Sequence, residues 1–490
     1  MREDWVEINY KEIVKKVTLT NKKIPQKKYL SLGNIPIIDQ GQGFIGGYTN
    51  DEEKILDCKL PALVFGDHTK VVKLVNFPFA SGADGTKVLE SKNYLQPKLL
   101  KYFTQTLAFK IKDKGYARHY QDIEKSKIKI PPVLEQKAIV QKIEQLFSEL
   151  DNGIENLKKA KEKLKIYRQA ILKKAFEGEL TKEWREKQKD LPTADKLLEE
   201  IKKERELFYQ KQLDEWKEKV KEWEDNGKQG KKPTKPRKLK DINDINKKSL
   251  SVIPNNWIWL FSEDINDFIT KGTTPPKSNS DSYKGNIPFL KVYNLTFDGS
   301  LDFNNNPTFI NEETHKDFLQ RSVLYPSDVV MNIVGPPLGK VSIIPNSYPE
   351  WNMNQAIVRF RPFNIIKSKY LANFLLLNNT IQKISKKAKA TAGQFNLTLE
   401  ICREIEIPLC SIEEQTQIVK EIESKLSVCD KIEQSIESNL KKSESLRQSI
   451  LKKAFEGKLL SEDELKKIQE HPDYESAQKL LEKIKLKKSA

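Results

Sequence analysis

Two short polar stretches carry side chains suited to reading the edges of nucleic-acid bases. Gly115-Tyr-Ala-Arg-His-Tyr120 offers Tyr116, Arg118 and His119, and Thr391-Ala-Gly-Gln-Phe-Asn-Leu397 offers Gln394 and Asn396. An arginine fork matches guanine O6 and N7 in a major groove, and a carboxamide matches adenine N6 and N7. Further candidates are His68 and Lys70 in Gly66-Asp-His-Thr-Lys70, Lys271 and Thr273 in Lys271-Gly-Thr-Thr274, Asn332, and the pair Asn354-Gln355. An ordinary capped turn is the alternative reading of each.

Catalytic and cofactor chemistry is harder to place. Gly41-Gln-Gly-Phe-Ile-Gly46 matches GxGxxG, but the Gly47-Tyr-Thr-Asn-Asp51 that follows is a turn sequence, so the helix N-terminus that would hold a pyrophosphate is missing. No GxxxxGK[ST] occurs, so the chain carries no ATP motor motif of its own. Asn306-Pro-Thr-Phe309 is one residue from the Asn-Pro-Pro-aromatic loop of adenine methyltransferases, without any glycine-rich methyl-donor motif, and reads as a loop. His68, His119, His315 and His471 are scattered, and Cys58, Cys402, Cys410 and Cys429 form no CxxC pair or Cys/His quartet. We therefore expect no metal site, no cofactor and no catalytic group, with the cysteines as small apolar residues of a reducing cytosol.

The elements that must position the polar loops are duplicated. Ile-Leu-Lys-Lys-Ala-Phe-Glu-Gly occupies 171–178 and again 450–457. At the same separation Glu135-Gln136 falls on Glu414-Gln415, Ile143 on Ile422, Asp151 on Asp430, and Arg168-Gln169 on Arg447-Gln448, with no gap. An insertion there would rotate every later side chain off its helix face, so gap-free matching implies a continuous helix. At slowly growing separations Trp5 matches Trp257, Pro36 matches Pro288, Tyr94-Leu95 matches Tyr370-Leu371, and 193–201 matches 476–484. The chain is two copies of one unit, a mixed domain followed by a long helix and a helical tail.

Within the first long helix Ile143, Leu150, Leu157, Leu164 and Ile171 recur every seven residues; Ile422, Cys429, Ile436 and Ile450 hold those places in the second, with Ser443 as a polar interruption. Such a row indicates a coiled coil, and two copies in one chain most simply pair antiparallel. About 40 residues at ~1.5 Å each make a spacer of roughly 60 Å. Short apolar runs between Gly, Pro and Asn clusters, such as Leu63-Val-Phe65 and Ala356-Ile-Val-Arg-Phe360, read as strands, with one helix near 95–107 and another near 370–384. The expected fold class is α+β: two mainly β domains held apart by long antiparallel coiled-coil helices in a pseudo-two-fold repeat. The expected parts are a first domain 1–134, a central helical spacer 135–185, a charged helix and flexible basic linker 186–250, a second domain 251–410, a distal spacer 411–458 and a helical tail 459–490.

Bulk properties agree with a polyanionic partner. The 490 residues carry 86 Lys and Arg against 69 Asp and Glu, a formal charge of +17, although a lysine-rich proteome would give the same balance. No stretch approaches the ~20 apolar residues of a membrane span, and the N-terminus lacks a signal-like apolar run, so a cytoplasmic protein without membrane contact is expected.

In the order and duplication of these motifs the chain resembles the DNA specificity subunits of type I restriction-modification systems. The resemblance rests on Pro131 with Glu135-Gln136, Pro408 with Glu414-Gln415, the two Lys-Lys-Ala-Phe-Glu-Gly endings and the Thr-Ala-Asp-Lys-Leu-Leu-Glu-Glu-Ile tail, and it covers nearly the whole chain. It implies two target-recognition domains, each reading half of a bipartite sequence in double-stranded DNA. It implies no catalysis in this chain, two methyltransferase subunits docked on the helical regions to modify adenine N6 with S-adenosylmethionine, and restriction-translocase subunits using ATP and Mg. Recognition loops of that family vary, so the base-reading residues named above rest on side-chain chemistry alone. The competing readings are a self-sufficient methyltransferase or nuclease fragment, which lacks its donor and catalytic loops, and a coiled-coil scaffold that binds no DNA.

Overall fold

A computed structural model describes residues 2, 4–83, 85–92, 94–112, 118–242, 245, 250–275, 280–391 and 394–489. The chain forms two compact units, Met1–Ala160 with Ser435–Ala490, and Lys161–Gln434. Each is a mixed helix and sheet structure.

In the first unit the entering strand Val6–Asn9 pairs antiparallel with the exit strand Lys127–Ile130, Val6 opposite Ile130. Between them lies an antiparallel sheet ordered Val14–Lys16, Thr86–Ser91, Ala62–Gly66, Val72–Val75. Successive strand residues face opposite sides, so Leu63 and Phe65 join the core under helix Pro97–Lys110, while Ala62 and Val64 join a second core under a smaller sheet. That explains the unbroken apolar run: this strand is covered on both faces.

The second unit repeats the plan. Ile258–Phe261 pairs antiparallel with Glu406–Leu409, and the sheet runs Thr270–Lys271, Ile357–Phe360, Val329–Asn332, Val341–Ile343. Val329 and Met331 face one core, and Val330 faces the other. The single helix expected near 370–384 is instead two, Ser368–Leu375 and Asn378–Lys387. Gln169 explains the break, since its amide donates to Leu376 O (3.2 Å) and accepts from Asn378 N (2.8 Å), satisfying both new helix ends.

The long helices span Val133–Phe176 and Ile412–Phe455, 44 residues each. In the second unit Arg168 bonds Asp430 (2.7 Å) and Glu433 (3.1 Å), beside buried Leu164, Ile171, Ile422 and Cys429. In the first, the sequence-equivalent Arg447 pairs with Asp151 and lies 4.3 Å over the Phe147 ring, beside buried Ile143 and Ile450. One ion pair thus recurs with its partners exchanged. Ile436 is also buried; Leu150 and Leu157 stay half-buried, outside the core of their unit. The Ser443 hydroxyl is used within its own helix, donating to Asn439 O (2.8 Å).

Each helix ends at a glycine in the left-handed region, Gly178 (φ +77°) and Gly457 (φ +72°), with Glu179 N bonding Lys174 O and Lys458 N bonding Lys453 O. A Cβ on Gly178 would stand 2.4 Å from the Pro254 ring, and one on Gly457 2.7 Å from the Arg2 side chain. The residues after these glycines pack onto a domain: Leu197 and Ile201 are buried in the second unit, Ala477 and Leu480 in the first.

Where domain meets helix, Trp5 Nε1 donates to Glu135 (3.1 Å) and Trp257 Nε1 to Glu414 (2.9 Å). The neighbouring glutamine uses its whole amide. Gln136 accepts from Gln96 N and donates to Tyr94 O and Pro131 O; Gln415 accepts from Lys367 N and donates to Ile365 O and Cys410 O. Glu414 also takes Thr181 Oγ1 (2.8 Å) and Arg185 Nη1 (2.5 Å), whereas Glu135 has Arg2 at 3.6 Å.

A helix Ala194–Asp225 continues the tail of the second unit, and residues 226–242 return along it, a correction to the flexible linker expected there. Trp223 Nε1 donates to Gly230 O and Trp216 Nε1 to Pro233 O. At its base Arg205 donates to Asp264 O and to Lys240 O, with Asp264 Oδ1 3.6 Å away. Burial pushes the Asp264 carboxyl from 3.8 up to about 6, against the opposing pull of Arg205.

Three outcomes follow for unfolding of the full chain. Glu414→Ala takes the acceptor from the buried Trp257 indole N–H and Thr181 hydroxyl and the carboxylate from half-buried Arg185, and is expected to cost about 2–4 kcal/mol. Gly153→Ala fills open space within a helix and is expected to add about 0.5–1 kcal/mol. Because folding holds the Asp264 proton more tightly, that carboxyl subtracts stability as pH rises from 3.8 through about 6. The Tm of Asp264→Asn relative to the parent should therefore increase between pH 4 and pH 7, by no more than about 3 kcal/mol equivalent. A flat difference would contradict that environment.

Candidate nucleic-acid interface

In the first unit the turn after strand Ala62–Gly66 organises the loops around it. Asp67 is buried and uses every polar group: its N–H donates to Gly85 O (2.6 Å), Oδ1 accepts from Tyr120 N (2.8 Å), Oδ2 faces Lys87 Nζ (3.7 Å), and its carbonyl accepts from His119 N (2.9 Å). Thr69 Oγ1 donates to Gln40 O (2.6 Å) and His68 N to Gln40 Oε1 (3.3 Å). Lys73, 4 % exposed, donates to Asp39 O and Gly43 O, and its burial pushes its pKa down. Loops 39–46, 66–71 and 118–120, together with Gly85, therefore meet at one sheet end.

The GxGxxG glycines serve that arrangement. Asp39 Oδ1 accepts from Gly41 N (2.9 Å), and a Cβ on Gly46 would lie 2.4 Å from Asp39 Oδ2; strand Gly47–Thr49 follows, not a helix. Gly41 and Gly46 make room for the loop's own carboxylate.

The candidates of this unit divide. Arg118 is exposed, His68 half-buried, and Lys70 half-buried with Nζ donating to Ile111 O (3.1 Å). His119 is 0 % exposed with Nδ1 2.9 Å from Asp67 O, so its ring clamps the turn from within and does not meet a ligand at the surface, a correction to its expected role. Tyr116 lies outside the described residues.

In the second unit the equivalent strand ends at Asn332, also 0 % exposed. Its Nδ2 donates to Val334 O (3.1 Å) and Pro337 O (2.9 Å), and its Oδ1 accepts from Lys340 N (2.9 Å). Asn332 is thus the internal clamp of loop 333–340 and not a surface reader, a second correction. Asn354 is half-buried, accepting from Ala356 N (3.2 Å); Gln355 is exposed and accepts from Thr274 Oγ1. Lys271 is exposed at its strand end and Thr273 half-buried. Strand Gln394–Asn396 pairs with Lys389–Thr391 and with Val334–Gly335, placing Asn396, half-buried, opposite Val334. Loops 271–274, 333–340 and 354–355 and the paired strands Lys389–Thr391 and Gln394–Asn396 meet at the sheet end matching that of the first unit.

Two features escape a reading of polar side chains alone. Lys340 lies 5.7 Å over the half-exposed Phe297 ring, and half-exposed Phe44 meets Phe77 edge-on at 6.2 Å. Aromatics inside glycine- and asparagine-rich loops were the available signal. Among the described residues no three His, Cys, Asp or Glu side chains converge as a metal site, and burial pushes the Cys402 thiol up to about 12. No described helix is long and apolar enough to cross a membrane.

Comparison with known proteins bears on both units. The model of the type I restriction modification DNA specificity domain matches residues 2–160 and 254–442. The specificity subunit of type I restriction enzyme EcoBI from Escherichia coli is 27 % identical over 370 residues, which are 74 % of this chain and 64 % of its own length. The EcoDI specificity subunit, also from Escherichia coli, is 25 % identical over 376 residues, 75 % of this chain and 70 % of its own. A solved chain described under the structural basis of complex assembly and conformational transition of the type I R-M system superposes with TM-score 0.60 at 15 % identity, covering 94 % of this chain and 99 % of that one, a likeness of fold.

The buried and exposed candidates should separate experimentally. Asn332→Ala strands three loop partners and is expected to lower stability by about 1–3 kcal/mol in denaturant unfolding. Gln355→Ala and Lys271→Ala, at exposed positions, should stay within about 0.5 kcal/mol of the parent.

Proposed function

Since this chain belongs to the type I restriction modification DNA specificity family, we propose that it is the sequence-reading subunit of such a system, each unit reading one half of a bipartite target in double-stranded DNA. The observation that carries this reading is the repetition itself: two domains keep the same sheet and the same Trp-Glu-Gln joint while their loop ends carry different sets of candidate side chains. A conserved frame with unlike loops suits two different half-sites.

Base reading falls to the groups that reach the surface. The Arg118 fork suits guanine O6 and N7, and the amides of Gln355 and Asn396 suit adenine N6 and N7, with Lys271 and Lys70 beside guanine or phosphate; the Gln394 amide is a candidate by its chemistry alone. Asp67, His119 and Asn332 hold these loops in shape before DNA arrives, so less ordering entropy is lost on binding. The formal charge of +17 favours the encounter with a polyanion.

The paired long helices act, in this reading, as a coiled-coil ruler between half-sites and as the seat of two methyltransferase subunits. Those partners bring S-adenosylmethionine for adenine methylation, and restriction-translocase subunits bring ATP and Mg; no step of that chemistry is assigned to this chain.

Modularity and ruler are separately testable by mapping the methylated sequence. Replacing residues 251–410 with those of a relative should change one half-site alone; a change in both would sink the modular reading. One heptad inserted after Gly153 and one after Ile432 keep the helix faces and add about 10 Å, close to three base pairs at ~3.4 Å each. The gap between half-sites should grow by about three base pairs, and an unchanged gap would refute the ruler.

A further inference from the structure

Beyond Ile201, the arm formed by helix Ala194–Asp225 and its returning segment falls outside the segments matched between the repeats, and the proposed reading does not use it. Leu197, Ile201 and Arg205 are the helix residues buried against the domain, and Phe208 meets Phe363 edge-on at 5.4 Å. After that the helix is accompanied by residues 226–242. Reversal occurs at Gly227 (φ +69°) and Lys228 (φ +61°). Tryptophans seven residues apart then grip the returning chain, Trp223 through Gly230 O at 3.3 Å and Trp216 through Pro233 O at 3.0 Å, with Lys232 and Lys235 each 5.9 Å over those rings.

The charge of the strap is one-sided. Lys228, Lys231, Lys232, Lys235, Arg237, Lys238 and Lys240 stand between residues 226 and 242, and Asp241 is the one acid among them. All seven cations are exposed. The underlying helix carries Asp214, Glu215, Glu218, Glu222 and Glu224, yet among the described residues none of Lys228, Lys231, Arg237 and Lys238 has an ion-pair partner; Lys240 alone faces a carboxylate, Glu263 at 3.9 Å. Indole hydrogen bonds, not helix carboxylates, hold the strap, so its charge faces outward on a pinned backbone. An extended chain advances ~3.1 Å per residue, and one DNA strand presents a phosphate every ~3.4 Å of helix axis.

We propose that this strap binds the phosphate backbone of double-stranded DNA, independently of base sequence, as an accessory clamp to the recognition loops. The proposal rests on the DNA-reading function above. Its consequence is thermodynamic: each phosphate contact releases counterions and steepens the salt dependence of binding by about 0.9, while sequence discrimination stays with the loops.

The test is the salt dependence of affinity, by fluorescence anisotropy, of the full chain for a random-sequence duplex and for a duplex bearing the methylated motif. Changing Lys228, Lys231, Arg237 and Lys238 together to Gln should lower the log–log slope by about 2–4 on both duplexes and leave their affinity ratio within about threefold. A second variant, Trp216→Ala with Trp223→Ala, keeps every cation but frees the strap; it should weaken binding by about 3–10-fold through lost preorganisation, with the slope largely kept. A parent chain that binds DNA with a slope the Gln variant does not alter overturns the clamp alone and points the strap to an acidic protein partner. A parent chain with no salt-dependent DNA binding overturns the DNA-reading function as well.

Discussion

Everything else in the molecule depends on how a domain is fastened to its helix, and that rests on one buried carboxylate and one buried amide, used twice. Glu414 is 0 % exposed and holds an indole, a hydroxyl and a guanidinium; Gln415 beside it has both amide ends on backbone. Buried polar groups of this kind cost several kcal/mol if left unpaired, so a domain rotated on its helix would expose that cost at once. The joint fixes an angle, where apolar contact alone would allow slippage. Glu135 and Gln136 repeat the geometry in the first unit with a weaker cation contact, Arg2 at 3.6 Å, and burial there pushes the Glu135 carboxyl up.

From these joints the repeat acquires its meaning. Arg168 with Asp430 and Arg447 with Asp151 are one interaction written twice with the helices exchanged. Each unit completes its core with residues from the other half of the sequence: Phe176 packs on Tyr370 and Phe374 in one, Phe455 stacks on Phe103 in the other. The Phe-Glu-Gly endings are therefore docking elements as well as helix stops, and their glycines are required by the close approach of Pro254 and Arg2.

Features with local or periodic causes were legible in the sequence. The two unbroken long helices with their glycine ends, the apolar central strands and the failure of GxGxxG as a phosphate cradle all follow from spacing, and the structure agrees with each; of the heptad rows, Leu150 and Leu157 stay half-buried. What was not legible arises from contacts distant in sequence. His119 and Asn332 have base-reading chemistry, but loop closure turns them inward, His119 onto Asp67 and Asn332 onto its own loop. The split after Leu375 has no Gly or Pro to mark it, because Gln169 causes it. The strap reads as a tether by composition, and the seven-residue spacing of Trp216 and Trp223 was the overlooked signal that it has a seat.

The central claim is that one chain reads two unlike half-sites at a fixed separation. Single-molecule detection of methyladenine across the host genome, with this gene intact and deleted, tests it most directly. The account requires loss of one split motif, two short sequences with a constant gap, on deletion. Loss of an unbroken motif, or no loss while methylation by the same system persists, would contradict it.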